Sequence, residues 1–215
     1  MTAKRAFDVV FSSIGLIGTS PLWLLAAIAV KATSRGPVFH RAERVGRDGE
    51  PFTLYKFRSM KPTDIAPAEI GLTLSNDPRI TLAGSVLRLF KIDELPQLIN
   101  VLRGDMSLVG PRPEDPRYVA RYSAEQRRVL SVRPGLTSPA SVAYRNEAVL
   151  LKDLAESRTE PAERVYLSEI MPAKLELELE YIDQRSFGLD LRVLMRTFAA
   201  VLKPSGQGGS RGRRS

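Results

Sequence analysis

The chain has 215 residues, of which 43% are hydrophobic and 26% are charged, so it can build a packed core and is not wholly disordered. It contains no cysteine, which excludes a disulfide framework, an iron–sulfur cluster and a thiolate nucleophile. Its single histidine, His40, excludes a two-histidine metal site and would have to carry any Ser-His-Asp hydrolase alone.

The formal net charge of +8 is concentrated at the two ends of the chain. Residues 1–61 hold ten Lys and Arg against four Asp and Glu, and residues 203–215 hold four basic residues and no acidic one. Residues 62–202 carry a net charge of −2. Basic ends of this kind indicate nucleic acid, an anionic membrane surface or merely a solvated face, and the neighbouring segment decides between them.

The segment from Val9 to Val30 is a run of 22 residues without a charge. As a straight helix it would be ~33 Å long, about the thickness of the hydrocarbon core of a bilayer. A buried helix of a soluble protein would normally carry a polar stripe, and this run has only four Ser and Thr residues. A cleavable signal peptide is disfavoured, because Asp8 follows the basic start and no clean small-residue cleavage site follows the run.

Two features argue against a plain spanning helix. Pro21, preceded by Ser20, lies in the middle of the run, and proline removes a backbone hydrogen bond, so a break or a kink is expected there. Both flanks are basic, and positive flanks stay on the cytoplasmic side, which suits a helix that enters the membrane and returns. A straight span and a re-entrant helix are equally open from these residues alone. The flanking basic residues are Lys4, Arg5, Lys31 and Arg35.

The rest of the chain alternates turns with short elements. A β-hairpin is expected from Val38-Phe39 and 52–57, a flexible loop over 61–78, and a proline-rich turn segment from Val109 to Pro116. The segment Leu189 to Leu202 is amphipathic and suits either a membrane surface or a cover for the core. Helices are expected over 85–90, 94–102, 123–132, 147–157 and 161–170, with one or two more in 174–202.

Asp93 and Glu94 are adjacent carboxylates at the start of the helix predicted over 94–102. With Asp93 as N-cap and Glu94 in the first turn, both can converge on one anion site, because a helix N-terminus attracts phosphate. An ionised aspartate can attack phosphorus and form an acyl phosphate, and a neighbouring carboxylate can hold Mg²⁺. Ordinary helix capping is the commoner explanation of the two residues taken alone.

Basic side chains that suit phosphate lie at further places. The segment 104–113 has rigid glycine and proline positions, which present Arg112 at a defined angle for bidentate phosphate contact. Lys56 and Arg58 alternate along the predicted strand and would project from one face of it. Taken singly, each is equally explained as a surface salt-bridge partner. Arg79 and Arg88 are further basic residues that suit phosphate.

Taken together, these segments resemble one family, the bacterial sugar transferases, also called monotopic polyprenol-phosphate phosphoglycosyl transferases. The matching motifs follow the family order, cover about residues 4–145 and are most specific in the central pair. They are Lys4-Arg5-Ala6-Phe7-Asp8, Ser20-Pro21, Ser34-Arg35-Gly36-Pro37-Val38, Lys56-Phe57-Arg58-Ser59-Met60, Asp77-Pro78-Arg79-Ile80-Thr81, Asp93-Glu94-Leu95-Pro96-Gln97-Leu98, Asn100-Val101-Leu102, the central 104–113, and Arg133-Pro134-Gly135-Leu136-Thr137.

The resemblance implies the transfer of a sugar 1-phosphate from a UDP-sugar to undecaprenyl phosphate, with release of UMP, at the start of surface polysaccharide or glycoconjugate assembly. It implies that Asp93 is the nucleophile that forms a covalent phosphosugar intermediate and that Glu94 is the Mg²⁺ ligand. With the charge pattern above, the expected substrate-binding residues are Lys56, Arg58, Arg79, Arg88, Pro111, Arg112 and Arg145.

The expected fold class is α+β and mostly helical, in a membrane-associated monotopic protein with a re-entrant N-terminal helix, bent at Ser20-Pro21, and a small β-hairpin. The helix and its flanks would occupy 1–35, a minimal cytosolic catalytic domain 36–204, and a disordered basic tail 205–215. The protein would lie on the cytosolic face of the bacterial inner membrane. Its partners would be a UDP-sugar, undecaprenyl phosphate and the bilayer, without nucleic acid, and a homodimer is compatible with this arrangement.

The sequence departs from the family pattern after Thr137, where the segment 138–146 replaces the usual Gly-Trp-Ala-Gln-Val-Asn-Gly-Arg run. Arg145 still corresponds to a phosphate contact, but its altered neighbours leave the sugar pocket undefined. Two other functions stay open: a basic module that binds a membrane surface or nucleic acid without catalysis, and an aspartyl-phosphate hydrolase that needs no lipid acceptor. Nucleic acid is disfavoured, because the basic residues flank an apolar run and not an aromatic platform.

Overall fold

The computed structural model describes residues 3–61, 72–75 and 77–202, which form a mostly helical α+β fold, as predicted. The helices are α1 Ala3–Thr33, α2 Leu82–Leu89, α3 Gln97–Arg103, α4 Pro116–Val119, α5 Pro139–Ala143, α6 Glu147–Arg158, α7 Ala162–Val165, α8 Met171–Gln184 and α9 Phe187–Leu202. The strands are β1 Phe39–Val45, β2 Pro51–Phe57, β3 Ser107–Val109 and β4 Gly135–Thr137. Most of the loop predicted over 61–78 and all of the tail 205–215 lie outside the described residues.

The helix α1 is uninterrupted and includes Pro21. Proline has no N–H for the carbonyl of Ile17, four residues back. The Ser20 hydroxyl donates to that same carbonyl at 2.8 Å and so replaces the missing backbone donor. The helix therefore continues through Ser20-Pro21, and the kink expected there stays a prediction.

Among the described residues, α1 is the one helix long and apolar enough to cross a membrane. Only 11% of its most apolar 18-residue window is buried in the protein. Large apolar side chains such as Ile17, Leu24 and Leu25 are 75%, 65% and 62% exposed. An apolar surface of this kind is compatible with membrane association and unlike the core helix of a soluble protein.

Both ends of α1 pack on the rest of the protein. Near its start, the buried Asp8 carboxylate accepts hydrogen bonds from the Ser107 hydroxyl and the Leu108 N–H, both at 3.1 Å. Near its end, Val30 is 1% exposed and packs with Phe57 and Leu87. Between these two anchors one face of the helix is exposed, while Ser12 and Ala26 on the other face are buried.

The predicted β-hairpin is confirmed, with Phe39 opposite Phe57 and His40 opposite Lys56. Its first strand is longer than the expected Val38-Phe39, because β1 continues to Val45. Four of the seven residues of β1 are charged or His, so its sequence lacks the apolar alternation that marks a strand. Cross-strand backbone pairing with the apolar β2 is what extends it.

The helical body holds two further differences from the sequence predictions. The helix predicted over 123–132 is wrong, because only Gln126–Ser131 is helical there, and it is a 3-10 turn. The helix predicted over 161–170 does not end there, because α7 continues through a π-helical segment, Tyr166–Ile170, directly into α8. Buried residues of these segments and of α6 belong to the largest apolar core of the described residues, around Tyr166, Val165 and Leu151.

A short parallel pair, β3 with β4, was not predicted, and the turn segment expected from Val109 to Pro116 begins at the last residue of β3. Its chains approach closely at two glycines: a Cβ added to Gly135 would lie 2.2 Å from the N of Gly110 and 2.3 Å from its O. No real Cβ contact is that short, so only glycine fits at position 135. This packing fixes the backbone directly before Pro111 and Arg112.

We expect Gly135→Ala to destabilise the protein by about 2–4 kcal/mol, as an overpacked buried contact does, and to displace the backbone that carries Arg112. Thermal unfolding of the purified protein in detergent measures the first effect. Gly188→Ala is the matched control, because an added Cβ there meets nothing within 4 Å on an exposed face of α9. Equal melting temperatures for the two variants would contradict the close approach.

Candidate active site

The segment between α2 and α3 turns sharply and places two carboxylates side by side. Lys91 adopts a left-handed backbone conformation with φ 57°, and a single 3-10 turn, Ile92–Glu94, follows it. Asp93 was predicted to be the N-cap of the helix, but it lies inside this turn, and α3 itself begins at Gln97. Asp93 is 6% exposed, so its carboxylate is largely withdrawn from solvent.

Glu94 is the point at which three elements meet. Its Oε1 accepts a hydrogen bond from Lys56 Nζ of β2 at 3.1 Å and another from Arg112 Nη2, in the loop after β3, at 2.8 Å. The side chains of Glu94, Lys56 and Arg112 are 13%, 22% and 32% exposed, which leaves an opening to solvent on the arginine side. Two cations that share one carboxylate oxygen form a site suited to phosphate oxygens.

The buried amide of Asn100 holds the hairpin against α3 and thereby sets the position of Lys56. Its Oδ1 accepts from the Tyr55 N–H at 3.1 Å, and its Nδ2 donates to the Thr53 carbonyl at 2.7 Å. The Asn100-Val101-Leu102 motif was noted in the sequence. The two contacts of Asn100 with the hairpin, however, span 45 and 47 positions of the chain. Spacing in the sequence gives no signal of such a pairing.

Arg112 lies in a loop whose backbone is bound by side chains of two helices. The Arg112 N–H donates to Oε1 of Glu178 on α8 at 3.2 Å. The Lys4 ammonium of α1 donates to the Val109 carbonyl at 3.1 Å and pairs with Asp190 at 2.5 Å. Neither Glu178 nor Lys4 was predicted as a site residue, since their contacts span 66 and 105 positions.

The two adjacent carboxyl groups have opposite pKa shifts. Burial, reinforced by the charge of Glu94, raises the pKa of Asp93, with Lys56 opposing it. Burial acts on Glu94 in the same direction, but the neighbouring Arg112 and Lys56 outweigh it and hold the pKa of Glu94 well below its usual range. The pKa shifts thus favour the ionised form of Glu94, whereas the charge of Asp93 is poorly solvated, as is common for groups at functional sites.

Oδ1 of Asp93 is fully buried and has no hydrogen-bond partner. Buried polar atoms in native proteins are nearly always paired, so an unpaired one calls for an explanation. A reactive carboxyl group is one explanation, because a carboxylate that few donors stabilise keeps its electron density for attack through its other oxygen, Oδ2.

Two of the predicted basic residues bind other parts of the protein. Arg58 lies beyond the end of β2, is 6% exposed, and donates to the carbonyls of Arg35 at 2.8 Å and Ser34 at 2.9 Å, so it binds the chain that leaves α1. Arg79 forms a bidentate pair with Asp77, with its shortest contact at 2.6 Å. Neither contact involves Asp93 or Glu94.

Arg88 acts on the carboxylate pair through its charge, whereas no described contact joins Arg145 to that pair. The positive charges of Lys91 and Arg88 partly oppose the rise in the pKa of Asp93 that burial causes. Arg145 lies between α5 and α6, two residues before Glu147, whose charge in turn raises the pKa of Arg112. Among the residues the structure describes, no cluster of three metal-ligating side chains occurs, so a metal here would rest on Asp93 and Glu94.

Comparison with known proteins is consistent with this geometry. The family model described as bacterial sugar transferase matches residues 1–204. The chain is 38% identical over 206 residues to the protein named "Uncharacterized sugar transferase EpsL" of Bacillus subtilis, covering 96% of this chain and 90% of that protein. It is 33% identical over 213 residues to "Exopolysaccharide production protein ExoY" of Rhizobium meliloti, covering 93% of this chain and 85% of that protein.

Longer relatives match over part of their length. The chain is 37% identical over 206 residues to the "UDP-glucose:undecaprenyl-phosphate glucose-1-phosphate transferase" of Xanthomonas campestris, covering 94% of this chain but only 39% of that protein. The family match covers nearly the whole chain and includes every residue of the carboxylate pair and its cations. The chain therefore belongs to the bacterial sugar transferase family.

Proposed function

We propose that this chain transfers a sugar 1-phosphate from a UDP-sugar to undecaprenyl phosphate and releases UMP, with Asp93 as the nucleophile. The observation that carries the proposal is the buried, unpaired Asp93 carboxylate beside Glu94, on which Lys56 and Arg112 converge. The names of several relatives, which contain both UDP-glucose and undecaprenyl phosphate, support this donor and this acceptor.

The first step forms one bond and breaks one. A carboxylate oxygen of Asp93 attacks the phosphorus that carries the sugar, and the bond from this phosphorus to the bridging oxygen breaks. UMP leaves with the electron pair of that bond. Lys56 and Arg112 can donate to the phosphate oxygens, so that charge developing in the transition state is met by fixed cations.

The second step reverses the roles. A phosphate oxygen of the lipid attacks the phosphorus of the aspartyl phosphosugar, and the Asp93 carboxylate leaves with its electron pair. The acceptor is a phosphate that is already ionised, so no histidine base is needed. The same two cations serve both steps, and His40 has no part in either.

The residues present fit a Mg²⁺ ion. Mg²⁺ is usually held by one or two carboxylates together with substrate phosphates and water, and Asp93 and Glu94 supply such a pair. Both cations bind the same oxygen of Glu94, Oε1. We propose Glu94 as the ligand; when bound, the ion would neutralise charge on the transferred phosphate.

We further propose that α1 enters one leaflet of the bacterial inner membrane from the cytosolic side and returns. Support comes from both of its ends, which bind the same globular body: Lys4 pairs with Asp190, and Arg58 holds the carbonyls of Ser34 and Arg35. The exposed apolar side chains of α2 and α9 extend this surface and would place the carboxylate pair near the headgroups. They are Leu82, Val86, Leu89, Phe187, Leu191, Met195 and Phe198.

Single cysteines test this topology cleanly, because the chain contains none. We expect Ala3→Cys and Thr33→Cys, at the two ends of α1, to react with a membrane-impermeant maleimide from the same side of sealed inverted vesicles. Asp153→Cys, exposed on α6, is the control that marks the side of the globular body. Labelling of the two ends from opposite sides would contradict the re-entrant helix and leave the chemistry unaffected.

The transferase proposal is tested with the full chain in detergent or vesicles, with Mg²⁺ and a panel of UDP-sugars that begins with UDP-glucose. We expect UMP and a sugar pyrophosphoryl lipid when undecaprenyl phosphate is present, and a covalent sugar-phosphate adduct when it is omitted. Steady release of UMP and free sugar phosphate without lipid would favour the hydrolase. No UMP with any donor would contradict the proposal.

A further inference from the structure

The described residues contain four buried side-chain polar atoms without a hydrogen-bond partner. Two of them lie in the reactive segment: Oδ1 of Asp93, which is an acceptor, and Nε2 of Gln97, which is a donor. Asp93 and Gln97 are 6% and 1% exposed. A buried donor and a buried acceptor, both unpaired and near each other in the chain, are complementary in their chemistry.

The backbone brings these two side chains onto one side. Leu95 and Pro96, which separate them, both have right-handed helical dihedral angles, with φ −53° and −61°. Four residues of such a segment make little more than one turn, so the side chains of Asp93 and Gln97 lie about one turn apart along it. The burial of both side chains agrees with this placement.

Asn100, three residues further on, shows by contrast what a structural amide does in this helix. Its oxygen binds the Tyr55 N–H and its nitrogen binds the Thr53 carbonyl, so both ends of the amide are satisfied by the fold. The nitrogen of Gln97 is bound to nothing in the described protein although it is equally buried. Leaving a buried donor unpaired costs about 1–3 kcal/mol. An apolar side chain would therefore suit a purely structural role at position 97 better than the amide of Gln97.

We propose that Gln97 is a positioning residue for the reaction, whose side-chain amide donates a hydrogen bond to Oδ1 of Asp93 as the phosphoryl group is transferred. The proposal rests on Asp93 as the nucleophile. Because Oδ1 is the fully buried oxygen, Oδ2 is the one left to meet the phosphorus. A donor on Oδ1 turns Oδ2 outward and sets its line of attack.

The same bond assists the second step. In the aspartyl phosphosugar, Oδ1 is the carbonyl oxygen of an acyl phosphate. When the lipid phosphate attacks, the O–P bond breaks and its electron pair returns to the Asp93 carboxyl group as negative charge, which the Gln97 amide stabilises without giving up a proton. A fixed donor aimed at a carboxylate that regains its charge acts as oxyanion-hole donors do.

Gln97→Met in the full chain removes the donor and keeps the size of the side chain. We expect kcat to fall by about 100-fold, the lower end of the range for a single lost oxyanion donor, with KM for the UDP-sugar changed much less than kcat. We also expect the acidic limb of kcat/KM to move to higher pH, because losing a donor to the ionised form raises the pKa of a carboxyl group. The covalent adduct should persist longer after undecaprenyl phosphate is added.

Leu98→Met is the matched control, since Leu98 is the next buried residue and faces Gly15 of α1. It should leave kcat, the acidic limb and the lifetime of the adduct unchanged. If Gln97→Met keeps the wild-type melting temperature, rate and pH profile, the inference is overturned while the transferase function stands. If wild-type protein forms no adduct with any UDP-sugar, the proposed function and this inference both fail.

A second variant covers the case in which Gln97→Met does not fold. Gln97→Glu keeps both shape and polarity, and its carboxyl group can donate a hydrogen bond only when protonated. We expect it to be slower than wild type at neutral pH and to recover in relative activity as the pH is lowered toward about 5. A rate ratio to wild type that does not change with pH would overturn the inference.

Discussion

Asp93→Asn is expected to abolish formation of the covalent adduct and to lower UMP release by about 10³-fold or more, as the loss of a covalent nucleophile does. An amide oxygen has neither the charge nor the nucleophilicity of the carboxylate. The measurement is intact-protein mass spectrometry after incubation with the UDP-sugar, together with UMP detection. Asp153→Asn, at an exposed position of α6, is the control and should behave as wild type.

The same variant should be at least as stable as wild type at neutral pH. The folded-state pKa of Asp93 is raised by burial, so folding disfavours its charge, and this cost is present above the folded pKa and fades as the pH falls. Asparagine carries no charge and avoids the cost. We expect the melting temperature of Asp93→Asn to exceed that of wild type at pH 7.5 and the difference to shrink toward pH 4. A lower melting temperature at pH 7.5 would mean that the carboxylate stabilises the fold.

Glu94→Gln is expected to lower kcat/KM by about 10²- to 10³-fold, comparable with the loss of a preorganised electrostatic contact. Lys56 and Arg112 lose the anion that both bind, and the proposed Mg²⁺ site loses its carboxylate ligand. Glu94 raises the pKa of Asp93, so its neutralisation should move the acidic limb of kcat/KM to lower pH even as the rate falls. The concentration of Mg²⁺ that gives half-maximal activity should rise.

Glu125→Gln is the control for this variant, because Glu125 also pairs with an arginine, Arg128, but its side chain is 69% exposed. Exposed pairs contribute little, about 0–1 kcal/mol, so no change in rate or Mg²⁺ dependence is expected. An acidic limb that stays in place in Glu94→Gln would contradict the coupling between the two carboxyl groups.

The contrast between Lys56 and Arg58 shows how far the sequence predicts the site. Both were expected on one face of a strand, since they are two residues apart. The strand ends at Phe57, however, and Arg58 binds the carbonyls of Ser34 and Arg35 just after α1, so only Lys56 reaches Glu94. Where a strand ends depends on which partner pairs with it, and local alternation does not carry that information.

Glu178 and Gln97 show two other limits of sequence reasoning. Glu178 lies in a helix with regular alternation of leucine and glutamate, and nothing in that pattern distinguishes it from its exposed neighbours until α8 packs against the Arg112 loop. Gln97 lies inside a motif that was recognised, but an amide in a helix is ordinary, and its unpaired nitrogen is visible only once the surrounding atoms are placed.

The sequence by itself determined the apolar N-terminal helix, the hairpin, the adjacent carboxylates and the family, because each depends on residues close together in the chain. The tertiary structure alone decided which cations meet Glu94, that Arg58 and Arg79 bind elsewhere, and that Asp93 lies inside a turn with one oxygen sealed from water. These properties arise from contacts over tens of residues and from desolvation. Both depend on how the elements pack, and packing is set by the shape of the whole chain.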